Sequence, residues 1–98
     1  MGRRKVKIEK ISVKGADIYI REDGFAVRFD KKNNKLYSYS YSPSPAVLKN
    51  MGLSLDGFFK ITLPLTEVKL RKPPSTERIK KEFRNADAKY KELYGRKK

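Results

Sequence analysis

Tyr37, Tyr39 and Tyr41 stand at every second position of KLYSYSYSPSP, residues 35–45, with Ser38, Ser40 and Ser42 between them. In an extended chain successive side chains point to opposite faces, so the rings form one stripe and the hydroxyls the other. A row of phenol rings can stack on unpaired nucleobases while neighbouring ammonium and guanidinium groups follow the phosphates. Tyr19, Arg21, Arg28, Lys7 and Lys35 are the residues expected beside that row. The competing arrangement half-buries the rings under a helix, or turns the small serines toward a closely packed helix.

Two further groups of cations fit the same chemistry. Arg3, Arg4, Lys5 and Lys7 make a basic arm that could follow a phosphate backbone or enter a groove. Lys69, Arg71 and Lys72 crowd beside the stiff Pro73-Pro74 pair. The cations near the C-terminus, among them Arg78, Lys80, Lys81 and Arg84, are interleaved with Glu77, Glu82, Asp87 and Glu92. They read as the solvated face of a core helix, with local ion pairs.

These groups belong to a chain of 98 residues with 25 Lys and Arg against 11 Asp and Glu, a formal net charge of +14. Such an excess repels itself in a compact state and is relieved by a polyanion. Nucleic acid is the first candidate partner. An anionic membrane surface ranks last, because the one helix that could lie on it needs its apolar stripe for the core.

The missing residue types narrow the chemistry. Without Cys there is no disulfide framework and no thiolate metal site; without His the usual general base and metal ligand are gone. Asp17 and Asp30 could meet at the open end of a hairpin, but they read as turn and strand-end residues, so no metal and no cofactor are expected. A small ribonuclease could use Arg to stabilise a phosphorane and Tyr or Lys to move protons, yet no spacing calls for it. The expectation is a non-enzymatic nucleic-acid-binding protein of low sequence specificity, for single-stranded DNA or RNA. A ribonucleoprotein component and a small chromatin protein on duplex DNA are the alternatives. Trp and Gln are also missing while Lys, Arg and Glu abound, a composition seen in hyperthermophiles. No apolar run approaches the ~20 residues of a spanning helix, and the start lacks a leader-like stretch. An intracellular, nucleoid- or ribosome-associated location is expected.

Elements must then position these residues. KVKIEKISVK, residues 5–14, alternates apolar and charged positions with a slip at Glu9-Lys10 that suggests a bulge or a bend. Asp23-Gly24, between two β-rich runs, signals a hairpin. A two-residue loop there pairs Ile20 with Val27 and Ile18 with Phe29. It would gather Ile18, Ile20, Phe25, Val27 and Phe29 on one face and Tyr19, Arg21, Ala26 and Arg28 on the other. KKNN, residues 31–34, forms the next turn. An even loop of two or four residues puts the tyrosines beside Tyr19, Arg21 and Arg28; an odd loop moves them to the core side.

PSPAVLKNMG reads as a short helix capped by Ser44 and ended by Gly52. Residues 58–70 read as a strand, on an edge or bent at Pro64. Ser75 or Thr76 caps a final helix over 76–94, with Ile79, Phe83, Ala86, Tyr90 and Leu93 on one face. The expected fold is α+β, a four-stranded antiparallel sheet in the order β-β-β-α-β-α, with at least one helix on one face and the other face open. A basic arm (1–4) and a basic tail (95–98) flank a single domain (5–94). An edge strand near Pro64, or the tyrosine strand itself, could pair with a second copy to give a homodimer.

Overall fold

The computed structural model describes residues 7–95 of the chain. The arm residues Arg3, Arg4 and Lys5, and residues 96–98 of the tail, lie outside the described residues. Five strands form one antiparallel meander: β1 (Ile8–Val13), β2 (Ala16–Arg21), β3 (Ala26–Asp30), β4 (Lys35–Tyr39) and β5 (Thr66–Lys69), in that spatial order. Between β4 and β5 lie two short helices, α1 (Pro45–Met51) and α2 (Leu55–Lys60). A long helix, α3 (Thr76–Tyr94), closes the fold. The architecture is α+β as expected, with five strands where four were counted. The segment before Gly15 and both arms of the hairpin are separate members of one sheet.

The decisive local feature is the β2–β3 turn. Gly24 N donates to Arg21 O at 2.9 Å and Arg21 N to Phe25 O at 2.8 Å, enclosing three residues, Glu22, Asp23 and Gly24. Gly24 has φ +104°, the positive value that the last position of such a loop requires. Asp23 holds the turn by accepting from Arg21 Nε and Arg21 Nη2, both at 2.8 Å. An odd loop shifts the pairing by one residue, so Ile18 opposes Arg28, Tyr19 opposes Val27, and Ile20 opposes Ala26. A one-residue slip exchanges the faces of every side chain in the arm.

The next turn has four residues and pairs Phe29 with Leu36 and Arg28 with Tyr37. Asp30 organises it, its carboxylate accepting from Lys32 N, Asn33 N and Asn33 Nδ2. Asn34 takes the left-handed position at φ 54°. The two turns together place apolar residues on both faces of the sheet. Val27, Phe29 and Leu36 lie on one, with Tyr19 and Phe25 beside them. Ile18, Ala26 and Tyr39 lie on the other, with Ile11, Val13 and Ile20. A sheet apolar on both faces needs two covers. Phe83 and Ile79 of α3 close the first and Phe59 of α2 the second. The expectation of one open face is therefore corrected.

The same reasoning removes the expected bulge in β1. Its pairing with β2 runs without interruption from Ile8–Arg21 to Val13–Ala16. Ile8 packs with the α3 cluster and Ile11 and Val13 with the α2 cluster. The change of parity at Glu9-Lys10 is thus a regular strand serving two cores.

The α1 helix forms where expected. Ser44 Oγ accepts from Val47 N, Pro45 begins the first turn, and Gly52 ends it at φ 71° with Leu53 N donating to Leu48 O. Residues 58–60 belong to α2, not to a strand. Ser54 Oγ caps the helix by accepting from Gly57 N at 3.0 Å, and Asp56 sits favourably in its first turn. The strand begins only at Thr66, after Pro64, so the proline takes no place in the ladder, and β5 lies on the sheet edge. The tyrosine strand β4 is interior, paired with β3 and β5, so it offers no free edge.

Candidate nucleic-acid interface

The tyrosine stripe does not form an open stacking face. Tyr39 is 3% exposed. Its ring lies 4.5 Å from that of Phe59, and its hydroxyl donates to Phe59 O at 3.2 Å. Burial pushes the Tyr39 phenol up to about 12. Tyr37 is half-buried beside the same cluster. Tyr41 lies beyond the end of β4, exposed, with its ring edge-on to Phe58. The serines fare differently as well. Ser38 is buried, its Oγ hydrogen-bonded to Thr66 Oγ1.

Arg28 is beside Tyr37 as the four-residue turn requires, but it is 6% exposed and its Nε donates to Asp56 Oδ1 at 2.7 Å. It serves as the ionic link between β3 and α2. Lys35 donates to Glu67 at 3.1 Å, which holds its ammonium above the usual lysine range. Neither is a free phosphate contact in this arrangement.

Tyr19 and Arg21 lie on the opposite face from Arg28, Tyr37 and Tyr39, separated from them by the odd β2–β3 loop. Arg21 is committed there. Its Nη1 and Nη2 donate to Asp87 of α3 at 3.0 and 2.6 Å, and its guanidinium lies over the rings of Phe25 and Phe83. The hydrogen bond to Asp87 raises the already high pKa of Arg21, and the reciprocal bond from Arg21 lowers that of Asp23. Arg21 is a clamp between sheet and helix. Asp17 and Asp30 face opposite sides of the sheet, and among the described residues no cluster of three or more His, Cys, Asp or Glu could hold a metal.

What remains for a polyanion is a different surface. The α3 helix packs chiefly on β3, β4 and β5, so the same face of β1 and β2 is only partly covered, Ile8, Tyr19 and Arg21 meeting the helix at its margin. The result is a groove of about 680 Å³ floored by Ile8, Tyr19, Ile79 and Phe83 and rimmed by Lys10, Lys80 and Arg84. Lys10 Nζ lies 5.8 Å from the centre of the Tyr19 ring. Lys10 and Tyr19 also border a second hollow of about 340 Å³ that includes Lys31, Asn34, Pro73 and Pro74. Pro73 and Pro74 lead on to the exposed Arg71 and Lys72.

Among the described residues, Lys69, Arg71, Lys72, Lys80, Lys81 and Arg84 belong to no ion pair. Lys7, at the threshold of β1, is exposed. Of the residues expected in the interface, Tyr19 and Arg21 line this groove, Arg21 already paired with Asp23 and Asp87, while Arg71 and Lys72 line a separate hollow with Pro73 and Pro74. Lys10 and Lys31 were not expected at such a surface, and Lys80 and Arg84, read as part of a solvated helix face, border the groove. A helical-wheel signal was present: Lys80 and Arg84 each follow a buried residue, Ile79 and Phe83, by one position, which sets them at the margin of the packed stripe. Lys10 needed the pairing of β1, since it opposes Tyr19 across the ladder.

Among the described residues no helix is long and apolar enough to cross a membrane. No family model, curated protein or solved structure matches this chain, so the reading rests on its own residues.

Proposed function

We propose that the protein is a non-enzymatic nucleic-acid-binding protein of low sequence specificity. Its binding surface is the basic track that runs from Arg84 and Lys80 past Lys10 and Lys31 to Arg71 and Lys72. The observation that carries this reading is the separation of charge. The arginines of the sheet are matched by carboxylates, while the cations of the track beyond the sheet, from α3 and the proline linker, have none among the described residues. A net charge of +14 repels itself less once a polyanion lies along such a track.

Titration of affinity against salt tests it. Log K should fall linearly with log salt, with a slope of about −0.7 per neutralised phosphate on a single strand or about −0.9 on a duplex. Replacing Lys80, Arg84 and Arg71 by alanine should flatten that slope by about 2 to 3. A protein that binds no nucleic acid at low ionic strength, or whose slope ignores these substitutions, rules the reading out.

A further inference from the structure

We infer that the groove between α3 and the β1–β2 hairpin holds one unpaired nucleobase of a single strand. This inference rests on the nucleic-acid reading above and adds the strand state and the contact. The base lies against Tyr19, and the flanking phosphates reach Lys10, Lys80 and Arg84.

The groove is built in two zones. Its floor is mainly apolar and aromatic, from Ile8, Tyr19, Ile79 and Phe83, with the carboxylate-paired Arg21 over Phe83 and Thr76 beside them, and its rim is cationic. Its volume of about 680 Å³ falls within the ~300–1,000 Å³ of small-ligand sites. A duplex keeps its bases stacked inside and shows a convex row of phosphates. It would touch the rim and leave the floor unused. A single strand can turn a base out of its stack and place its flat face on a ring.

Tyr19 suits the contact. It is half-buried, so its position is fixed by the packing of Val27 and Phe29 beside it. The ring already attracts a cation, Lys10, whose only carboxylate among the described residues is Asp17 at 4.0 Å. That long ion pair is readily exchanged for a phosphate. Asp17 has Lys31 at 3.3 Å and the Ser12 hydroxyl at 2.9 Å, so it is not stranded by the exchange. The adjoining hollow offers the next nucleotide the apolar rings of Pro73 and Pro74, with Lys31 and its partner Asp17 in the same lining.

Anisotropy titrations test the inference. The probes are labelled single strands of about 12 nucleotides, as DNA and as RNA, and a duplex of equal length. The proteins are the wild type, Tyr19→Phe, Tyr19→Ala and the Lys80→Ala/Arg84→Ala pair, each first checked by thermal melting so that affinities refer to folded molecules. Wild type is expected to prefer single strands. Tyr19→Ala should weaken single-strand binding by roughly 5- to 100-fold and leave duplex binding unchanged, and Tyr19→Phe should restore it. The Lys80→Ala/Arg84→Ala pair should weaken every probe. The DNA and RNA arms report which sugar the groove prefers. Equal affinity for duplex and single strands, or Tyr19→Ala weakening both alike, overturns the groove assignment while nucleic-acid binding stands. Failure of wild type to bind any probe overturns both.

Discussion

Arg28 and Asp56 meet under α2: Arg28 Nε donates to Asp56 Oδ1 at 2.7 Å, with both side chains largely withdrawn from solvent. Asp56 lies in the first turn of α2, where the helix N-terminus also favours a carboxylate. One arginine that stood out in the sequence as a nucleic-acid contact is thereby spent on holding a helix to the sheet. Removing either partner strands the other charge in a poorly solvated place. Asp56→Ala should destabilise the fold by about 3 kcal/mol, measured by urea denaturation, with affinity per folded molecule unchanged. A variant of wild-type stability would show that this pair does not hold α2.

Glu82 is wholly buried yet fully engaged. It accepts from Thr66 Oγ1, from Arg78 at 2.9 Å and from Asn85 at 3.2 Å. Through Thr66 the network reaches Ser38, tying α3 to the edge strand β5 and to β4. Glu82→Leu would leave those donors unmatched and should destabilise by about 2–3 kcal/mol. Hydrogen exchange should locate the loss: amides of Thr66–Lys69 lose protection before those of β2 and β3. Uniform loss of protection would refute a local role.

Tyr39 predicts an alkaline transition. Its folded pKa, about 12, lies above the ordinary tyrosine value of 10.0. The unfolded chain therefore releases this proton first as pH rises. The associated stability is present below pH ~10 and is lost as pH climbs toward about 12, a fall on the order of 2–3 kcal/mol. Lysines titrate in the same range, so the measurement is the difference between wild type and Tyr39→Phe. That variant also lacks the hydroxyl's bond to Phe59 O, a loss of about 1 kcal/mol at neutral pH. The gap between the two proteins should close and then reverse as pH rises from 9 to 12. A gap constant across that range would contradict a protonated, buried phenol.

Tyr39 and Tyr41 should separate cleanly when each is changed to serine. Tyr39→Ser opens a cavity beside Phe59 and should lower stability by about 3 kcal/mol or more. Tyr41→Ser should change stability by less than about 1 kcal/mol, because Tyr41 is 53% exposed and meets Phe58 only edge-on. Neither should alter nucleic-acid affinity per folded molecule. An affinity loss confined to Tyr41→Ser would extend the interface to the α2 side.

Arg21 bridges Asp87 and Asp23 while covering Phe25 and Phe83. Since Asp87 is part-exposed, Asp87→Ala should cost only about 1 kcal/mol in thermal or urea melts. Arg21→Ala, which also removes packing over two rings, should cost more. Equal costs would mean that the rings contribute nothing to the clamp.

Much of the local structure could be read from short-range chemistry. Ser44 with Pro45 and Gly52, and Ser75 before an apolar stripe at helical spacing, mark α1 and α3, because a cap satisfies its own helix end within a few residues. The Asp23-Gly24 hairpin is local for the same reason. Which face each strand side chain takes is not local. It turns on whether the loop after Arg21 encloses two residues or three, and the third is favoured by Arg21 gripping Asp23 while Asp87, 66 residues along the chain, holds the same guanidinium. That single parity sends Tyr19 toward α3 and Arg28 toward α2. Composition alone raised the expectation of a polyanion partner. Which cations stay unpaired, and the groove they border, emerged only when α3 settled over three strands of five and left β1 and β2 beside it.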